Sequence, residues 1–196
     1  MTLYGNKKQE KSIGIKKSAM ELFEKKGIEK TSIRNIMKNS GYGLGTFYLY
    51  FKDKKELEEK IALDIAKDLF VDAEKNISEE KNHAKRYITF VNYIMDYLIE
   101  NPLKLQLISK NLNWALYSKI ENGARFEAEE TTLEYILNRF EKLIPESYFK
   151  SQKLYIISLT LEIMLSSCKY ALTKDYNLSI DEMKTVLFRV IEKIFN

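Results

Sequence analysis

The chain has 196 residues, with 32 Lys+Arg against 28 Asp+Glu for a net charge of +4, which is room for one large or two small domains with a real core. A single cysteine, Cys168, excludes an internal disulfide and a thiolate zinc site, and a single histidine, His83, removes most histidine-based metal and triad chemistry. Residues 1–60 hold 14 basic and 8 acidic side chains and the remainder holds 18 and 20, so the excess positive charge sits in the first third, as in a polyanion-binding end.

Two prolines, seven glycines and no strand-like alternation predict an all-α chain. Gly27, Gly41, Gly43 and Gly45 cluster early, and only Gly123 follows them. A small head of tight turns and a larger body of long helices is the expected organisation. Ile15, Ala19, Leu22 and Phe23 form one stripe of a first helix, closed by Gly27 as a left-handed cap. Thr31 stands where an N-cap is needed for a short helix carrying Ile33, Ile36 and Met37, and Gly41 breaks it. A second short helix reads Thr46 to Phe51, with Phe47 and Phe51 as core residues. Asp53 and Glu56 resemble a capping box opening a long helix through Leu57, Ile61, Ile65, Leu69 and Phe70, shared by head and body.

In the body, the periodicity predicts helices over 80–100, from Pro102 to about Asn122, and over roughly 125–144, 148–174 and 180–195, the last opened by a Ser179/Glu182 capping box. Residues 1–18 are polar and lysine-rich, unlike a signal peptide. The most apolar stretch, 154–168, is interrupted by Glu162 and is too short to span a bilayer. A soluble cytoplasmic chain without a membrane partner is the expectation.

A short helix, a glycine-containing turn and a second short helix make a helix-turn-helix unit, whose second helix can enter a DNA major groove. That corner alone is weak evidence. The ordered series Ile15, Ala19, Leu22-Phe23, Gly27, Thr31-Ser32, Ile36, Gly41, Gly45-Thr46, Tyr48, Tyr50-Phe51, Lys54 and Glu56-Leu57 adds specificity. Over residues 9–69 the chain resembles the TetR family of bacterial transcription regulators, while residues 70–196 carry no comparable signature.

The resemblance implies a DNA-binding domain over 1–53, with its helix-turn-helix at about 32–51, and an effector-binding and dimerisation domain over 54–196. The expected DNA-binding residues are Thr31, Ser32, Tyr42, Gly43, Leu44, Gly45, Thr46, Tyr48, Leu49, Tyr50 and Lys54. Hydroxyls of Thr31, Ser32, Tyr48 and Tyr50 and the cation of Lys54 suit phosphate oxygens, Gly45 permits close approach, and Thr46 suits a base edge. The turn departs from the family pattern: Tyr42 replaces a small apolar residue, Gly43 a capping hydroxyl and Leu44 a polar or basic reader. Apolar contact to thymine methyls, or DNA shape, then has to carry more of the specificity.

The family also implies homodimers joined through their last two helices, so that two heads read a palindromic double-stranded operator. Leu154, Ile157, Leu161, Leu165, Leu172, Met183, Val186, Leu187, Val190, Ile191 and Ile194 supply the expected interface, although ordinary core competes for them. A largely hydrophobic small-molecule effector, lined by Tyr87, Phe90, Tyr93, Trp114, Tyr117, Phe126, Met164 and Cys168, would release the DNA. No cofactor, metal or catalytic residue is expected. The leading expectation is therefore a ligand-responsive dimeric repressor. A DNA-binding regulator without a small-molecule effector is the alternative, and an enzyme using the body pocket is a remote third.

Overall fold

The computed structural model describes residues 3–77, 80–121, 132–173 and 177–195, with the side chains of 3–8 and 112–121 left aside. The regular structure of the described residues is all helix, with no strand among them. The chain divides into two compact units, Met1–Ile61 and Ala62–Asn196.

The first unit holds α1 (Leu3–Lys26), α2 (Ile33–Ser40), α3 (Leu44–Phe47) and the opening turns of α4 (Lys54–Lys75). Gly27 ends α1 at φ 80°, where the Gly27 N–H donates to the Phe23 carbonyl at 2.9 Å. A left-handed residue there is cheap only without a Cβ. Gly41 does the same for α2 at φ 74°. Ile15, Ala19, Phe23, Ile36, Met37, Phe47, Phe51 and Leu57 are buried against one another's helices. Each large side chain of that set contributes about 1.5–3 kcal/mol of burial. A polar strut joins the first two helices: Ser18 Oγ donates to the Ile36 carbonyl at 3.0 Å, and Asn39 Nδ2 donates to Ser18 Oγ at 2.9 Å and to Glu21 Oε2 at 3.0 Å.

Three local expectations need correction. Ser32, not Thr31, caps α2: its Oγ accepts from the Asn35 N–H at 3.2 Å while Asn35 Oδ1 accepts from the Ser32 N–H at 3.3 Å. Thr31 is buried instead, with its hydroxyl donating to the Gly27 carbonyl at 2.8 Å. The second short helix starts at Leu44 and is only four residues long, Tyr48–Tyr50 continuing as turns. Gly43 supplies no side-chain cap to hold a longer one. At α4, Asp53 caps the Glu56 N–H at 2.8 Å, but the Glu56 carboxylate accepts from Lys52 rather than from Asp53, so the expected box is shifted by one residue on that side.

The second unit contains the rest of α4, then α5 (His83–Glu100), α6 (Pro102–Glu121), α7 (Thr132–Glu141), α8 (Lys150–Thr173) and α9 (Ile180–Phe195). Pro102 opens α6 as the sequence predicts, and the Ser179/Glu182 box opens α9 with Ser179 N–H to Glu182 Oε2 at 2.8 Å and Glu182 N–H to Ser179 Oγ at 3.3 Å. The aromatic centre is Phe70, Phe90 and Phe140, with ring centroids 4.7–5.4 Å apart, and Tyr87 lies beside Phe140 at 5.6 Å. Tyr87 is fully buried, and its hydroxyl donates to Thr160 Oγ1 at 3.1 Å. Burial drives its pKa up, with the Thr160 hydrogen bond as a smaller opposing effect.

α8 is 24 residues long, with a mean hydropathy of 1.2 over its most apolar window, so by length and composition it reaches what a membrane span needs. The stretch 154–168 expected to be too short is the middle of this longer helix. Its Ile156, Ile157, Leu161, Met164, Leu165 and Cys168 are buried in the second unit's own core, which accounts for the same apolarity.

Candidate nucleic-acid interface

The segment after α2 is shaped by three positions. Gly41 turns the chain with its positive φ. Tyr42 is half-buried, and its ring lies against α1 where Gly14 has no side chain: a Cβ there would come within 3.2 Å of the Tyr42 hydroxyl. Gly43 then enters α3 in extended conformation, φ −67° and ψ 149°. Phe47 anchors α3 into the core, with Phe51 5.4 Å away.

With Phe47 fixed inward, its neighbours face out. Leu44 is 44% exposed, Tyr48 59% and Leu49 72%, while Thr46 and Tyr50 are half-buried. The Tyr48 ring meets Phe47 edge-on at 5.4 Å, which holds its orientation. A Cβ at Gly43 or Gly45 would meet nothing within 4 Å. Neither glycine is demanded by packing among the described residues.

The predicted DNA set therefore divides. Ser32, Gly43, Leu44, Gly45, Thr46, Tyr48, Leu49 and Tyr50 lie at or near the surface of one segment pair, α2's start and α3 with its following turn. Thr31 leaves the set, because its hydroxyl is buried and engaged with Gly27. Tyr42 packs on Gly14 and acts by holding the turn. Lys54 also leaves it: its ammonium donates to the Ile28 carbonyl, lies over the Phe23 ring at 6.0 Å and pairs with Glu58 at 3.7 Å. It ties α4 to the loop after α1.

Arg34 and Lys38 were not singled out from sequence, yet both are exposed on α2. Their four-residue spacing places them on one face of that helix, and this was the available signal.

In the body, the lining of a cavity of about 40 Å³ is wholly apolar: Ala66, Leu69 and Phe70 from α4, Ile94 and Leu98 from α5, Ile108 from α6, Leu133, Ile136, Leu137 and Phe140 from α7, and Ile157, Leu161 and Met164 from α8. Of the predicted effector residues whose side chains are described, only Met164 lines it. Tyr87, Phe90 and Cys168 are core, and Tyr93 packs half-buried against that core. The Trp114 and Tyr117 side chains and Phe126 lie outside the described residues. Burial pushes the Cys168 thiol up to about 12, so it stays protonated at neutral pH. Among the described residues no group of three or more His, Cys, Asp or Glu side chains is placed to hold a metal ion.

The predicted dimer residues divide too. Ile157, Leu161, Leu165, Leu187 and Ile191 belong to the body's own core, and Met183 is buried. Leu154 and Ile194 pack half-buried against that core, while Leu172, Val186 and Val190 remain exposed at 39%, 61% and 38%. Tyr155 and Tyr170 on α8 add exposed apolar surface that the sequence reading omitted.

Residues 15–61 match the bacterial regulatory proteins of the tetR family. The first unit is a TetR-family domain. An HTH-type transcriptional regulator of Staphylococcus aureus (strain USA300) is 32% identical over 102 residues, which is 50% of this chain and 54% of that protein; the match thus spans about half the length of the curated relative. Two solved structures share the fold. A TetR-family regulator from Syntrophomonas wolfei superposes with a TM-score of 0.59 at 22% identity, covering 95% of each chain. The regulator FadR from Bacillus subtilis, in complex with stearoyl-CoA, gives 0.56 at 14% identity, covering 91% of this chain and 96% of that one.

Proposed function

We propose that the protein is a homodimeric transcriptional repressor that binds a palindromic double-stranded operator through α2 and α3 and is controlled through its body. The observation that carries this reading is the exposed α3 segment on a TetR-family head: Gly43 and Gly45 leave open space that the chain itself does not use, beside the hydroxyls of Ser32, Thr46, Tyr48 and Tyr50. Arg34 and Lys38 supply phosphate-neutralising charge on the same helix-turn-helix. The exposed Tyr155, Tyr170, Leu172, Val186 and Val190 on α8 and α9 supply the surface for a second copy. Such a regulator works in the cytoplasm and carries out no catalysis; a buried thiol with its pKa raised to about 12 offers no ready nucleophile.

The apolar cavity supports a hydrophobic effector, and the FadR relative in fold was solved with stearoyl-CoA. Ligand binding releases DNA only insofar as the ligand prefers a dimer conformation whose heads no longer fit successive major grooves. A second reading, regulation without a small molecule, is favoured by the cavity's size: about 40 Å³ is room for a few waters, not for an effector, unless the lining helices part.

A binding titration at several salt concentrations tests the DNA contacts. Arg34→Ala lowers the log–log salt slope by about 1, and Tyr48→Phe weakens all sequences alike. Unchanged slope and affinity in both variants would remove the α2/α3 face from the DNA interface. Screening acyl and aromatic compounds for loss of the DNA complex separates the two modes of control.

A further inference from the structure

From Gly41 to Phe51 the chain carries no charged and no amide side chain. This is unusual material for a surface that reads bases. Guanine is read by Arg or Lys, adenine by Asn or Gln, and cytosine by a carboxylate, each through paired hydrogen bonds in the major groove. None of those groups is present in the segment. What it exposes instead is apolar: Leu44, Tyr48 and Leu49 are three of the four large hydrophobic residues exposed in the first unit, among the described residues, and they fall within six positions. Of the hydroxyls, that of Tyr42 is turned onto α1 at Gly14, and Tyr50 is half-buried.

We infer that α3 and the turn after it read their half-site through thymine C5-methyl groups, with Leu44 and Leu49 as the specificity-determining residues and the methyl of Thr46 beside them. The thymine methyl is the one apolar feature on a major-groove base edge, so it is the partner that an exposed leucine can recognise. Open space at Gly43 and Gly45 lets the backbone approach closely enough for short side chains to reach the groove floor. Affinity comes from elsewhere, from the head's net +6 and the exposed Arg34 and Lys38, which attract any phosphate backbone without reading sequence. The operator is therefore A·T-rich where α3 enters, and its T residues matter for their methyl groups rather than for their hydrogen bonds.

This rests on the DNA-binding reading above, and one experiment separates the two. The full chain selects from a pool of random-sequence duplexes, and the winning duplex is remade with deoxyuridine replacing thymidine one position at a time, which deletes only the methyl. The expected result is an A·T-rich half-site in which at least two T-to-U replacements each weaken binding about 4-fold, the factor for losing one buried methyl-sized group. Leu44→Ala and Leu49→Ala should each abolish the T-over-U preference at one position. Ile13→Ala, an equally exposed apolar residue on α1 (55%), should retain it. The inference is overturned if the selected half-site is G·C-rich, if uridine binds as well as thymidine, or if the preference survives in both leucine variants. A change in oligomeric state rather than DNA preference in those variants would likewise overturn it, marking the patch as a protein contact. Failure to enrich any sequence over the pool would sink the DNA-binding reading itself.

Discussion

Thr31 and Ser32 stand side by side with similar chemistry and opposite roles. Either hydroxyl suits an N-cap, so local sequence does not separate them; the tertiary position does, because residue 31 faces the Gly27 and Leu22 carbonyls while Ser32 faces Asn35. Thr31→Val keeps the shape and removes the donor from the Gly27 and Leu22 carbonyls. Urea unfolding should show a loss of about 1–2 kcal/mol, with the salt dependence of DNA binding unchanged. A fallen salt slope would return Thr31 to the DNA surface. Lys54 was assigned to phosphate for the same reason: a lysine in a basic segment looks free until its partner, the Ile28 carbonyl, comes from 26 residues away. Cys168 gives a pH prediction with a definite sign. Burial raises its folded pKa to about 12, above the usual thiol value, so its contribution to stability is full below about 8.5 and is lost as pH rises toward 12. The native protein at pH 8 should resist iodoacetamide and react only on unfolding. Rapid alkylation of the folded chain would contradict its placement in the core.

At the scale of elements, the legible features were those written in a few adjacent residues. Gly27, Gly41, the Asn101-Pro102 junction and the Ser179/Glu182 box each act over one turn, and each ends or begins a helix where the sequence places it. α3 was placed but its start was not, since Gly43 offers no cap from which to read one. Gly41 is the more consequential glycine, because its φ of 74° sets the angle at which α3 leaves α2. Gly41→Ala should cost about 1–2 kcal/mol and weaken DNA binding beyond the stability loss, because it strains the turn between the two helices. Equal stability in thermal melts would mean that this turn relaxes without penalty. The cavity was barely legible, Met164 being the predicted residue that lines it. Leu133, Ile136, Leu137 and Phe140 line it with the spacing of ordinary core, and an apolar helix face reads alike whether its far side is filled or empty.

On the scale of the whole molecule, the net +4 is an average of two unlike parts, a head at +6 and a remainder at −2. The division also frames the self-association expected of the body. Much of the sequence-predicted interface is core, and what is left, Leu172, Val186 and Val190 with Tyr155 and Tyr170, is exposed apolar surface on the last two helices. Val186→Glu with Val190→Glu places charges on that surface without entering the core, and sedimentation equilibrium should show the dimer reduced to monomer. DNA affinity should fall with it, because a single head loses the second half-site. A dimer that persists in the double variant would move the interface elsewhere. Recognition of particular duplex DNA by the α2/α3 face is decided by titrating the full chain against the duplex immediately upstream of its own coding sequence and against a scrambled duplex of equal length and composition. Binding to the upstream duplex should be tighter by about 1,000-fold or more at physiological salt; equal affinity for both duplexes would rule out sequence recognition by this face.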